Sequence, residues 1–268
     1  MRWLVILAAA LALVAGLVWF GQRALIYFPD RRDPGPVTAL VDHGEDVQLQ
    51  TSDGLTLQVW RIDPVRPADV AVLYLPGNGG NRLGRIGVGR ALADQGFTVL
   101  LLDYRGYGGN PGRPSEAGLV RDAEAAQAYL RQAGFAADDT LYVGESLGTG
   151  VAVQLADRVA PAALVLRSPF TSLGAVAEGT FGGLPIGWIV RDRFDTLGTI
   201  PSLHVPVAVL AGSADAVVPP SQSQTIAQAA PDLVAWTKLP GVGHNDAVWF
   251  GPYLAEQVAD YLEAIHAR

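Results

Sequence analysis

The chain has 268 residues, half of them hydrophobic, and a formal net charge of −7. That length suits one large catalytic domain rather than several. The acidic balance, with Lys238 the single lysine, sets nucleic acid aside as a partner. The absence of cysteine excludes a disulfide framework, a thiol nucleophile and thiolate metal sites.

From Trp3 to Phe20 every residue is apolar or small, and no charge falls between Arg2 and Arg23. A helix here is long enough to cross about 30 Å of hydrocarbon, with Trp3, Trp19 and Phe20 at its ends as interfacial aromatics. A cleaved secretory leader and a buried core helix are the competing readings. Small residues at the required spacing occur at Ala8, Ala10 and Ala12, but the apolar run continues well past them, which favours a retained anchor. Arg2 precedes the run while Arg23, Arg31 and Arg32 follow it, a charge balance that leans toward the cytoplasm without fixing the side. Residues 1–23 are therefore expected as a transmembrane anchor, 24–40 as a juxtamembrane connector without regular structure, and 41–268 as the catalytic domain.

Val47–Thr51 and Leu55–Trp60 alternate apolar with polar around Ser52-Asp53-Gly54, the pattern of a hairpin. Val70–Leu75 is an unbroken apolar run, as expected of a strand buried on both faces, and it ends in the glycine-rich loop Pro76-Gly77-Asn78-Gly79-Gly80-Asn81. After a further helical pattern, strand and helix alternate: Thr98–Leu102 with Ala117–Gln132, then Leu141–Val143 with Leu147–Val159, then strand Ala163–Leu166. The alternation resumes at strand Val207–Leu210, helix Gln222–Ala229, strand Leu233–Leu239 and helix Tyr253–His266. Repeated units of this kind predict an α/β fold, a mostly parallel sheet of about eight strands with helices on both faces. Reactive groups are then expected at the carboxyl ends of the strands. The interruption at residues 170–203 reads as a short lid over that rim or as helices packed on the core, and its position favours the lid.

Gly144-Glu145-Ser146-Leu147-Gly148 is a G-x-S-x-G motif between a strand pattern and a helix pattern. In that context it is a nucleophile elbow, with Ser146 exposed on a strained turn at the end of a strand. A hydroxyl needs a base, and the base needs an orienting acid. His43 and His266 read as surface residues and His204 as a structural one. His244, in a glycine-flanked loop after the last strand, is the candidate base. Asp215, after strand Val207–Leu210, is the candidate acid. Asp246 is a rival, but as a near neighbour of His244 on one loop it reads better as a loop or cap carboxylate. Asp103, a second rival, reads as a structural carboxylate holding the Tyr104–Gly109 turn. The N–H groups of Leu147 and Asn78 are the candidate oxyanion donors. The loop Gly77–Gly80 lacks both G-K-[ST] and G-x-G-x-x-G, so it is not read as a phosphate cradle.

Together the Pro76–Asn81 loop, Asp103–Gly108 with Pro114-Ser115-Glu116, Gly144–Gly148, Ser168-Pro169-Phe170-Thr171-Ser172, Asp215 and His244 resemble the α/β-hydrolase superfamily. Within it they are similar to the membrane-anchored bud-emergence-type serine hydrolases, relatives of protein depalmitoylases and serine aminopeptidases. The resemblance implies an α/β-hydrolase fold with a small lid, and acyl transfer to water without metal or cofactor. It also implies a membrane-anchored carboxylesterase or thioesterase, and the apolar insertion and the anchor point to a small, acylated or lipid-like ester as substrate. One departure is Pro76, where such loops often carry histidine; the expected donor is a main-chain N–H further on, so the departure concerns loop shape. A peptidase or amidase, and a catalytically silent membrane-tethered interaction protein on the same fold, stand beside that reading.

Overall fold

Strand β4, Ala71–Leu75, buries all five of its residues, and the reason is its place at the centre of a sheet covered on both sides. The computed structural model describes residues 2, 3, 6, 16, 19–67 and 69–268. The expected span Trp3–Phe20 lies mostly outside them, and among the described residues no helix is long and apolar enough to cross a membrane. The main sheet has eight strands. In chain order they are β2 (Gly44–Gln50), β3 (Thr56–Ile62), β4, β6 (Thr98–Leu101), β7 (Thr140–Glu145), β8 (Ala163–Arg167), β9 (Val207–Gly212) and β10 (Leu233–Leu239). Across the sheet the order is β10-β9-β8-β7-β4-β6-β3-β2, parallel throughout except that β3 runs against both its neighbours.

Successive side chains on these strands enter two separate cores. Ala71, Leu73 and Leu75 join one, with Leu119, Val151 and Ile226 from helices α2 (Glu116–Gln132), α3 (Leu147–Ala156) and α6 (Pro220–Ala229). Val72 and Tyr74 join the other, with Val88, Leu254 and Val258 from α1 (Ile86–Asp94) and α7 (Pro252–His266). Burial on both faces explains why the central strands β4, β6, β7, β8 and β9 read as apolar runs, whereas β2 and β3 at the edge alternate.

The stretch 24–40 differs from the expected irregular connector. A helix runs through residues 19–26, then β1 (Phe28–Pro29) pairs in parallel with β5 (Gly79–Gly80), and Val37–Ala39 forms a 3-10 turn. Tyr27 is buried, and Phe28 N–H donates to the Asn78 carbonyl at 2.9 Å. Asp30 N–H likewise donates to the Gly80 carbonyl at 3.0 Å, so the segment docks on the domain.

The expected lid is a small helical insertion between β8 and β9. It comprises α4 (Leu173–Thr180), a 3-10 turn at Gly187–Ile189 and the short helix α5 (Thr196–Thr199). Ser172 caps α4 by accepting from Ala175 N–H at 3.1 Å. Its far end is held by Glu116, which accepts from the N–H groups of Arg193 and Phe194 at 2.6 and 2.8 Å.

Candidate active site

Strand β7 ends at Glu145, and Ser146 follows with φ 50° and ψ −116°, a conformation a non-glycine residue holds only under constraint. The constraint comes from close backbone packing. A Cβ on Gly144 would stand 2.8 Å from the Gly148 carbonyl oxygen, and one on Gly148 would overlap the carbonyl oxygen of Leu75 in β4. Both glycines are thus needed for α3 to start directly after the turn. The elbow is further pinned by Ser146 N–H, which donates to the Arg167 carbonyl at 2.9 Å.

His244 lies in the loop after β10, and of the four histidines it alone is buried; His43, His204 and His266 are exposed. For His204 this differs from the expected structural role. The His244 ring bridges two groups, with Nε2 2.9 Å from Ser146 Oγ and Nδ1 2.7 Å from Asp215 Oδ2. Asp215 follows β9 and its carboxylate is saturated. Oδ2 also accepts from Ser168 Oγ at 2.9 Å, and Oδ1 accepts from the N–H groups of Val217 and Val218 at 2.9 and 2.8 Å. Burial works to raise the Asp215 pKa, but the bonds from His244, Val218 and Ser168 outweigh it and hold the group below the usual carboxylate range. An ionised Asp215 fixes a proton on Nδ1, which leaves Nε2 free to accept one from the serine.

The rival carboxylates serve elsewhere. Asp246 Oδ2 accepts from Gly243 N–H at 2.8 Å, bending the loop that carries His244. Asp103 pairs with Arg82 at 2.8 Å, and the same Arg82 nitrogen donates to the Gly108 carbonyl at 3.0 Å, fixing the Tyr104–Gly109 turn. The N–H of Leu147 opens α3, where the first turn has no intrahelical acceptor. Asn78 spends its side-chain amide on the Ile26 carbonyl at 2.8 Å and its own carbonyl on Phe28 and Tyr107, and its N–H enters none of these bonds. A Cβ on Gly77, the residue before, would stand 3.5 Å from the Ser146 Cβ, so this loop does run beside the elbow.

A sequence model described as the alpha/beta hydrolase fold matches residues 70–185. An uncharacterised protein of Mycobacterium tuberculosis is 44% identical over 89% of this chain and 87% of its own length. A lysophosphatidylserine lipase of Danio rerio is 27% identical over 98% of this chain and 80% of its own. Among solved structures, an esterase of Pyrococcus furiosus superposes with a TM-score of 0.70 at 23% identity, covering 88% of this chain and 98% of its own. The chain has the α/β-hydrolase fold.

Around this α/β-hydrolase elbow lies a set of charged residues that sequence reasoning missed. Glu145 is buried beside Ser146 and accepts from Tyr74 Oη at 2.8 Å and from Arg85 Nε and Nη2 at 3.2 and 2.6 Å. Arg167, also buried, stands 3.1 Å from Glu145 and donates from Nη1 to the His244 carbonyl at 2.9 Å. Burial alone would raise the Glu145 pKa, yet Arg85 and Arg167 bring it down to about 2. Ser168, with φ 53°, enters the sequence reading only within the Ser168–Ser172 stretch, without a role of its own. The available signal was the one used for Asp215, a polar residue directly after a buried strand. A cavity of about 840 Å³ lies at the opposite rim, lined by Leu40, His43, Asp63, Arg90 and Gln95 among others, and has no part in this chemistry. Among the described residues no group of three histidine or carboxylate side chains is arranged to hold a metal ion.

Proposed function

We propose that the chain is a membrane-anchored serine hydrolase that cleaves carboxylic ester or thioester bonds through an acyl-enzyme on Ser146. The observation that carries this reading is the unbroken path from Ser146 Oγ to His244 Nε2 at 2.9 Å, and from Nδ1 to Asp215 Oδ2 at 2.7 Å. Ser146 attacks the acyl carbonyl carbon while His244 takes its proton on Nε2. Asp215 holds the ring in the tautomer that accepts on this nitrogen and stabilises the imidazolium. The N–H groups of Leu147 and Asn78 receive the oxyanion, each worth on the order of 3 kcal/mol in the transition state. Collapse breaks the bond to the alcohol or thiol, which leaves with the proton from His244. Water, deprotonated by the same nitrogen, then releases the carboxylic acid and restores the serine.

The anchor reading rests on the apolar run Trp3–Phe20, and the choice of an acylated or lipid-like substrate rests on that run and on the apolar side chains of the insertion. The relative named for lysophosphatidylserine hydrolysis supports an acyl ester of lipid type. A fluorophosphonate probe tests the chemistry: it is expected to label wild-type protein at Ser146 and to leave Ser146→Ala unlabelled. Turnover of short p-nitrophenyl esters and acyl-thioesters is expected to vanish in the same variant. Equal, background-level rates for both folded proteins would refute the proposal.

A further inference from the structure

The tip of the insertion carries large apolar side chains that stay exposed. Phe181 is 54% exposed, Leu184 59% and Trp188 77%. No charged residue occurs from Gly179 to Val190; Glu178 precedes this run, and Arg191, Asp192 and Arg193 follow it. An uncharged tip carrying aromatics, with arginines at its C-terminal border, has the composition of a segment lying in the headgroup region of a bilayer.

The second observation concerns what this tip is tied to. Arg23 grips Asp192 with Nε and Nη2 at 2.9 and 3.0 Å, and Tyr27 Oη donates to the same carboxylate at 3.0 Å. Gln22 Oε1 accepts from Arg191 N–H at 2.7 Å, its Nε2 donates to the Ile189 carbonyl at 3.4 Å, and the Arg191 guanidinium stands 5.3 Å from the ring centre of Trp19. The helix at 19–26 is thus clamped along residues 189–192 of the insertion. Gln22 lies two residues after Phe20, the last of the apolar run, a separation of about 3 Å along a helix axis. Trp188 is next in sequence to Ile189. The tip is therefore tied, at its Trp188 end, to the helix close to where the apolar run ends. Phe20 is likewise 81% exposed.

We propose that Phe181, Leu184 and Trp188 seat in the surface of the lipid bilayer that receives the N-terminal helix, with the Arg23–Asp192–Tyr27 clamp holding the insertion at that depth. This rests on reading residues 3–20 as a membrane anchor. It adds that the insertion itself is a lipid-contacting element, so that the rim carrying Ser146 is turned toward the membrane and an ester held in the bilayer reaches it from there.

The chain has no cysteine, so a single one can be introduced and labelled. The full chain carrying Trp188→Cys or Leu184→Cys is labelled with a nitrobenzoxadiazole dye and reconstituted in nanodiscs of phosphatidylcholine and phosphatidylglycerol, with and without doxyl-labelled acyl chains. Val65→Cys is the control: Val65 is 84% exposed and follows β3, whose end pairs with the start of β6, at the rim opposite Ser146. Circular dichroism establishes that each variant is folded. The dye at 188 and 184 is expected to be quenched roughly twofold or more by the doxyl lipid, as at a depth of about 5–10 Å, and the dye at 65 not at all. Chain recovered in nanodiscs with 188 and 184 as unquenched as 65 overturns the inference and leaves the anchor standing. A dye at 188 shielded from iodide yet untouched by doxyl lipid points to a protein partner and also overturns it. Failure of the chain to enter nanodiscs removes anchor and inference together. Labelling of Ser146 by fluorophosphonate in the same samples reports the hydrolase chemistry separately.

Discussion

Arg167 Nη1 donates to the main-chain carbonyl of His244 at 2.9 Å, joining the end of β8 to the loop that follows β10. The bond answers a problem of distance. His244 leaves the sheet from β10 and Ser146 from β7, three positions away in the strand order, or about 14 Å at the usual spacing. The loop must turn back over β9 and β8. It crosses β9 where Gly212 has no side chain, since a Cβ there would overlap the Val242 carbonyl oxygen. It is then held over β8 by Arg167 and braced by Trp249, whose ring N–H donates to the Gly243 carbonyl at 2.8 Å.

Arg167→Met keeps much of the side-chain volume and removes this tie. We expect kcat for ester hydrolysis to fall roughly tenfold to a hundredfold with KM little changed, the loss that follows when a reacting group is misplaced by about 1 Å. Steady-state kinetics with circular dichroism as a folding control checks this. An unaltered kcat in folded protein would show that the loop holds its position without the arginine.

Asp215 and Ser168 should separate in size of effect. Asp215→Asn reverses the tautomer preference of His244 and is expected to lower kcat by about 10⁴. Ser168→Ala removes one donor from Oδ2 while His244, Val217 and Val218 remain bonded, so a loss of about tenfold is expected, the scale of one hydrogen bond to a charged group. Burst and steady-state rates on one p-nitrophenyl ester measure both. Equal losses would mean that Ser168 itself touches the reaction.

Close packing behind the elbow makes a stability prediction. Gly148→Ala drives a methyl group into the Leu75 carbonyl of a central strand and should destabilise the fold by about 3 kcal/mol or more. Gly84→Ala meets nothing within 4 Å and has no positive φ, so a change within about 0.5 kcal/mol is expected. Chemical denaturation of the two variants beside wild type is the measurement.

The strands and the elbow are legible in the sequence because their signals are local: a strand buried on both faces is an apolar run, and G-x-S-x-G records two backbone contacts on either side of one serine. Asp215 and His244 follow from related logic, since each lies in the short loop after a strand, β9 for the one and the half-buried β10 for the other. What stays hidden is pairing between distant segments. Nothing in Phe28–Pro29 announces a two-residue ladder with Gly79–Gly80, because two residues have no period. Arg23 and Asp192 are charges 169 residues apart, and Glu145 and Arg167 end two strands separated by a whole helix; only the fold shows that each pair meets. His204 fails for a related reason: its position before β9 is visible in the chain, whereas its exposure depends on what the neighbouring segments leave uncovered.

The buried charges near the elbow give stability two opposed pH windows. Glu145, ordinarily near 4.5, is held at about 2 against its burial by Arg85 and Arg167. In the folded state it stays ionised where the unfolded chain takes up a proton. Its contribution is complete above about 4.5 and is lost as pH falls toward 2, on the order of a few kcal/mol. Asp103 runs the other way. Burial, only partly offset by Arg82, pushes it from 3.8 up to about 6, and its Oδ1 meets no donor. Between those values the folded protein holds a proton that the unfolded chain has released, so stability falls as pH rises through that interval. Denaturant midpoints of wild type, Glu145→Gln and Asp103→Asn, taken from pH 2 to pH 7, resolve the two. Glu145→Gln should be less stable at pH 7 because it leaves two buried arginines without their anion, and its acid-side slope below about 4.5 should flatten. Asp103→Asn should lose the decline between about 4 and 6 while keeping the acid limb. Identical slopes for all three proteins would mean that neither carboxyl titrates differently on folding.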